Sequence, residues 1–162
     1  MCQLLTLTLA RVPTQIVNMI RQANKYDKTT IIELMQLFRK ESDIPEFREL
    51  HNPEYWNQIL DHIFAGGGVI FIDDDKGLLM GLIAPIPWCN KTYQLYELAW
   101  YVKPEYRNTT LGYRLLKTYV EYGKQLKEQG RIKLFTIAKM VTSPDIKYDR
   151  FGFRKLDETW VQ

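Results

Sequence analysis

Two hydrophobic periods alternate along this chain, and the points where one gives way to the other mark out its elements. Met19-Ile20-Arg21-Gln22-Ala23 reads as a first strand. Ile31, Ile32, Leu34, Met35, Leu37 and Phe38 then recur at helical spacing, and Asp27 or Thr29 can cap a helix that runs to about Lys40. Residues 41–51 are polar, hold Pro45, and read as a loop. Asn52-Pro53 pairs a capping side chain with a first-turn proline and so opens a second helix. Trp56, Ile59, Leu60, Ile63 and Phe64 form its inward stripe, and Gly66-Gly67-Gly68 ends it.

The period then shortens. Residues 69–72 and 78–86 are apolar runs joined by Asp73-Asp74-Asp75-Lys76-Gly77, the pattern of a β-hairpin. Pro85, Pro87 and residues 88–92 read as a loop before a long third strand over 93–102. Leu111, Leu115, Leu116, Tyr119, Val120 and Leu126 predict the longest helix, from about Thr110 to Gln129, with Gly130 as its stop. Residues 132–138 make another strand, Ser143-Pro144-Asp145 caps a short helix to Arg150, and residues 153–161 close the chain in extended structure. The order β-α-α-β-β-β-α-β-α-β predicts one mixed α/β domain over residues 19–162, a single sheet with helices on its faces. Residues 1–18 stand apart from it, as an N-terminal extension of unknown role or the product of an upstream start codon.

Composition narrows the setting. A chain of 162 residues, 46% apolar and 25% charged, can bury a core without disulfides or metals. The net charge of +3 is spread among acids rather than gathered in a stripe, which argues against nucleic acid as the ligand. Cys2 and Cys89 lack metal or redox spacing, and His51 and His62 are too few for a His-based metal site. His62 reads as a helix-flank residue. The three aspartates read as a solvated turn, because a cation loop needs ligands at alternating positions and a closing acid. No apolar stretch, including the one at 4–10, reaches membrane-spanning length. The expected setting is a reduced cytoplasm, with no metal and no membrane.

The segment with chemistry in it is Val102 through Leu116, VKPEYRNTTLGYRLL. A strand ends at Val102 and a helix opens over Arg107-Asn108-Thr109-Thr110-Leu111-Gly112. Amides at a helix start have no intrahelical partners, and the helix dipole adds positive potential, so such an end can hold an anion. Many strand–turn–helix junctions carry the same residue types without a ligand. The segment nevertheless resembles the pyrophosphate loop of GNAT-family N-acetyltransferases, where V-x-P-x-Y-R leads into Q/R-x-x-G-x-G/A. Arg107 stands at the first position and Gly112 at the last, while Thr110 replaces the first glycine. Tyr148-Asp149-Arg150-Phe151-Gly152-Phe153 resembles the same family's C-terminal Y-x-x-x-G-F.

The resemblance spans residues 19–161 and implies a splayed, mainly antiparallel central sheet that takes the pantetheine arm of acetyl-CoA between strands 93–102 and 132–138. It implies cofactor contacts from Trp100, Tyr101, Val102, Arg107, Asn108, Thr109, Thr110, Leu111, Gly112 and Tyr113. An amine would attack the thioester directly, with Glu97 as base, Tyr148 as acid, and a backbone amide near Trp100 or Tyr101 facing the thioester oxygen. The partners implied are acyl-CoA and an amine acceptor, and a homodimer is compatible with the family. Asp43, Glu46 and Glu49 are candidates for binding a cationic acceptor, and Trp88 for an apolar or aromatic portion of it. The alternative is a non-catalytic acyl-CoA-binding module on the same fold.

Overall fold

A computed structural model describes residues 19–160; the N-terminal extension expected at residues 1–18 lies outside them. Five strands lie in one sheet in chain order: β1 Arg21–Gln22, β2 Gly68–Asp73, β3 Gly77–Ile86, β4 Cys89–Val102 and β5 Leu134–Thr136. The first three pairings are antiparallel and β4–β5 is parallel, so the sheet is mixed and mainly antiparallel, as expected. The helices are α1 Lys28–Lys40, α2 Pro45–Arg48, α3 Pro53–His62 and α4 Leu111–Glu128.

Both faces of the sheet are covered, which is why β2 is buried at every position instead of alternating. Ile70, Ile72, Leu78, Met80, Ala99 and Tyr101 face α1 and α3, against Ile31, Leu34, Met35 and Leu60. Val69, Phe71, Leu79 and Leu95 face α4, against Leu111, Leu115, Tyr119 and Leu126. The helical stripes read from the sequence are therefore the ones turned to the sheet, except Leu37, which is exposed. Asn52 caps α3 as expected, its Oδ1 accepting from the Tyr55 amide at 3.0 Å. Asp27 stands at the N-cap of α1 but turns its carboxylate to Arg21 and to the Asn24 amide, so the capping box belongs to the short turn Lys25–Asp27.

Several sequence expectations need correction. Residues 41–51 include the short helix α2. Residues 85–92 are not a loop: β3 pairs with β4 out to Ile86 opposite Cys89, leaving Pro87-Trp88 as the turn, and Pro85 still pairs in register with Tyr93. The strand expected at 132–138 is paired only over 134–136, and the helix expected at 143–150 is a single turn, Tyr148–Phe151. Residues 153–160 form no strand, because no ladder partner takes up their backbone groups. The aspartate turn is not simply solvated either. Asp73 is 1% exposed and pairs with Lys76 at 3.2 Å and Arg114 at 3.8 Å, while Asp75 holds Lys103 at 2.7 Å.

Candidate active site

The site follows from how β4 ends. Gln94, Leu95 and Tyr96 pair with Leu134, Phe135 and Thr136 of β5, and there the parallel ladder stops. From Glu97 to Val102 the strand keeps only its β3 partner. The two strands diverge, and alternate backbone groups on that edge of β4 lose their ladder bonds. On the β3 side the register jumps from Met80 opposite Ala99 to Gly81 opposite Glu97, so Leu98 is the extra residue of a β-bulge. The consecutive apolar pair Leu98-Ala99 is its sequence signal, since both side chains pack on the α1/α3 face.

Glu97 sits where the strands part. Its Oε2 accepts from the Ala138 amide at 3.0 Å, a bridge from β4 to the chain just past β5. Burial pushes its carboxyl up to about 7, against the opposing pull of that amide. Two phenols share its surroundings. Tyr119, from the middle of α4, lies flat on the sheet over Gly81, where a Cβ would meet the ring at 2.9 Å, and donates to the Thr136 carbonyl at 2.9 Å. Burial and then the Glu97 charge raise its hydroxyl above the ordinary phenol range. Tyr119 is the neighbour that the sequence reading missed; it looked like one more apolar position of the helical stripe.

Tyr148 is placed by the turn that follows it. Gly152, at φ 84, sits in the left-handed region that glycine adopts without strain, and it folds Phe153 back so that the Phe153 amide reaches the Tyr148 carbonyl at 3.2 Å. Edge-to-face contacts then run Tyr148–Phe153–Phe135–Tyr119, at centroid distances of 6.4, 5.4 and 6.2 Å. The Tyr148 hydroxyl is buried and has no hydrogen-bond partner among the described residues. Burial first, then the charges of Glu97 and Asp145, hold that hydroxyl protonated beyond its usual range. A buried orphan of this kind costs about 1–3 kcal/mol and calls for a partner.

The other half of the site is the start of α4. Thr109 Oγ1 donates to the Tyr106 carbonyl at 2.6 Å and accepts from the Leu111 amide at 3.2 Å, fixing the loop that enters the helix. Thr110 lies at φ −78, ψ 0, an ordinary right-handed conformation that needs no glycine. Gly112 has open space: a Cβ there would meet only the Trp100 ring, at 3.7 Å. Gly112 thus leaves open space beside Trp100, on the stretch of β4 that has no β5 partner. Arg107 is directed elsewhere. Its Nε donates to the Val102 carbonyl at 2.8 Å, its terminal nitrogen pairs with Glu41, and the guanidinium stacks 5.7 Å from the Tyr101 ring. Tyr101 Oη donates to the same Glu41 at 2.5 Å. Burial raises the Glu41 carboxyl, but Tyr101 and Arg107 outweigh it and hold the group below its usual range. Asn108 and Tyr113 are on the loop and on the first turn of α4, where the Tyr113 ring meets Phe151 at 5.5 Å.

Of the residues considered for an acceptor, Asp43 bonds the Thr142 hydroxyl and so ties the segment after α1 to the segment before Tyr148. Glu46 and Glu49 are exposed. Trp88, 93% exposed at the β3–β4 turn, lies nine residues from Glu97 along the strand, roughly 30 Å at strand rise. Among the described residues no cluster of acids, histidines or cysteines could hold a metal ion, and no helix is long and apolar enough to cross a membrane.

Comparison with known proteins agrees with this geometry. The chain is similar in structure to an acetyltransferase from Trypanosoma brucei, at TM-score 0.62 and 17% identity, over 89% of this chain and 97% of that one. It is similar to a transcriptional regulator from Bacillus halodurans C-125, at TM-score 0.63 and 16% identity, over 89% and 97%. An aminoglycoside acetyltransferase from an uncultured soil metagenomic sample, solved with sisomicin, matches at TM-score 0.60 and 15% identity, over 89% and 92%. Identities this low show a shared fold. No curated protein matches by sequence. The sequence pattern of the acetyltransferase (GNAT) family matches residues 31–153, most of the chain including both motifs and the diverging strand, and the chain belongs to that family.

Proposed function

We propose that the chain is an N-acetyltransferase that moves the acetyl group of acetyl-CoA to a primary amine of a small molecule or protein, within a ternary complex. The observation that carries the reading is the placement of the Glu97 carboxylate in the gap between β4 and β5, beside the unpartnered Tyr148 hydroxyl. Three features fit the donor: the one-sided edge of β4 at 97–102, the first-turn amides of α4, and the space over Gly112 that a side chain would fill.

In this reading the loop and helix start from Arg107 to Tyr113 hold the pyrophosphate, and Trp100 and the Val102 amide offer backbone groups to the pantetheine, while Tyr101 is turned to β3 and the Val102 carbonyl is taken by Arg107. Arg107 positions the loop by tying it to Glu41 and the Val102 carbonyl. Bound acetyl-CoA supplies the thioester carbonyl that the amine attacks. Glu97, with its carboxyl at about 7, is substantially ionised at neutral pH and takes the proton the amine must lose. Tyr148 keeps its proton on Oη and donates it toward the departing sulfur. A backbone amide near Trp100 or Tyr101 faces the carbonyl oxygen as charge develops there.

The test is thiol release from acetyl-CoA with a panel of amines: a polyamine, an aminoglycoside and an acidic amino acid. Turnover of at least one amine, rising with pH through about 7, is expected. Binding of acetyl-CoA with no turnover of any amine would instead support a non-catalytic acyl-CoA module.

A further inference from the structure

A hollow of about 580 Å³ opens at the far end of α4 from Gly112. The helix has 18 residues, so the hollow lies roughly 27 Å away along its axis. Lys91 from the start of β4, Lys127 from the last turn of α4, and Arg131 and Lys133 from the link into β5 all line it. No carboxylate does. Among the described residues, none of the four cations forms an ion pair.

The frame that presents these charges is well bonded. The Gln129, Gly130 and Arg131 amides take up the Gln125, Lys127 and Leu126 carbonyls at 3.0, 3.0 and 2.9 Å, so the end of α4 is capped. Gly130, at φ 69, makes the turn. Ile132 is 5% exposed and the Lys133 amide reaches the Tyr93 carbonyl at 2.8 Å, so alternation puts Arg131 and Lys133 together on the open side. Tyr93, 42% exposed, adds part of an aromatic ring to the wall, and Thr92 adds a hydroxyl.

Four exposed cations around one concavity, with no carboxylate among its lining residues, raise the local positive potential and attract a multivalent anion. The volume suits a small organic molecule rather than a polymer lying on a flat face. We infer that this hollow is a second ligand site, independent of the acyl-transfer reading, for a di- or triphosphate group, with the Tyr93 ring stacking on the planar base of a nucleoside carrier. An inorganic polyphosphate shares the anionic chemistry but has nothing to offer Tyr93.

Calorimetric titration of the full chain with ATP and with sodium tripolyphosphate tests this, and repeating both titrations on Gly112→Trp removes any contribution from the start of α4. Both probes should bind, ATP the tighter. The double variant Lys91→Glu, Lys133→Glu should weaken both by about tenfold or more, as charge-assisted contacts are lost. Tyr93→Ser should weaken ATP alone, by roughly threefold, the scale of one aromatic stacking contact. All these side chains are on the surface, and an unchanged thermal melting profile checks that the variants fold. The substitutions lie at the far end of α4, so the outcome does not depend on whether coenzyme A binds. Wild type binding neither probe, or the double variant binding both as tightly as wild type, would overturn the site. A short single-stranded RNA held more tightly than either probe would overturn the small-ligand assignment.

Discussion

β4 contains two regions that obey different rules. At 94–96 the strand is paired on both edges, Leu95 is fully buried, and the alternation of side chains follows from packing alone. Three residues later the same strand has one edge without a partner, a bulge at Leu98, and a carboxylate whose burial no cation offsets. The first region satisfies every local preference. The second leaves backbone groups and a hydroxyl unpaired, and it is there that the chain has room for a ligand. Unmet hydrogen-bonding capacity, rather than any one motif, separates the candidate site from the core.

The comparison breaks most sharply at Glu97. Glu97→Gln keeps an oxygen for the Ala138 amide but cannot take a proton, and kcat should fall by about 100- to 1000-fold, the scale of a general base. In wild type kcat/KM should rise through about pH 7, and in the variant that limb should flatten. Stability should move the opposite way. The folded carboxyl titrates at about 7, above its ordinary 4.5, so the folded state binds more protons than the unfolded chain between those values. The group's contribution is therefore full below about 4.5 and lost as pH rises through about 7, an effect on the order of 3 kcal/mol. Thermal melts at pH 8 should show Glu97→Gln more stable than wild type.

Tyr148→Phe is the next largest. It removes a hydroxyl that no described residue bonds, so the melting temperature should hold or rise slightly while kcat drops by about 10- to 100-fold. KM for acetyl-CoA should change little, which a steady-state assay on the pair would read directly. An unchanged kcat would remove Tyr148 from the chemistry. Thr110→Gly should be the smallest change, under about threefold in acetyl-CoA affinity. Its backbone already sits where any residue sits, and glycine at a helix start costs only a few tenths of a kcal/mol.

Much of this was legible in the sequence because it is local. The stripes of α1, α3 and α4, the Asn52 cap and the β2–β3 hairpin all follow from spacing within a dozen residues. Pro85 and Pro87 hid the true length of the β3–β4 hairpin, because proline reads as a break; the register does shift after Pro85, but pairing resumes at Ile86 opposite Cys89. Glu97, Tyr148 and the helix start around Gly112 came from resemblance to a family, and their neighbours could not come from pattern at all. Ala138 lies 41 residues from Glu97, and Glu41 lies 66 residues from Arg107. No periodicity joins such pairs; only the folded sheet brings them together. The strand expected at the end of the chain failed for the complementary reason: no neighbouring edge pairs with residues 153–160, half of which are charged.

The most direct test of the account is titration of acetyl-CoA into wild type and into Gly112→Trp by calorimetry. A Cβ at Gly112 strains nothing in the protein, and a thermal melt of the bulky variant checks that it folds. Micromolar binding by wild type, lost by at least about tenfold in the variant, is the predicted result for a donor held at the start of α4 beside the open edge of β4. No binding by wild type, or equal binding by both, would contradict it.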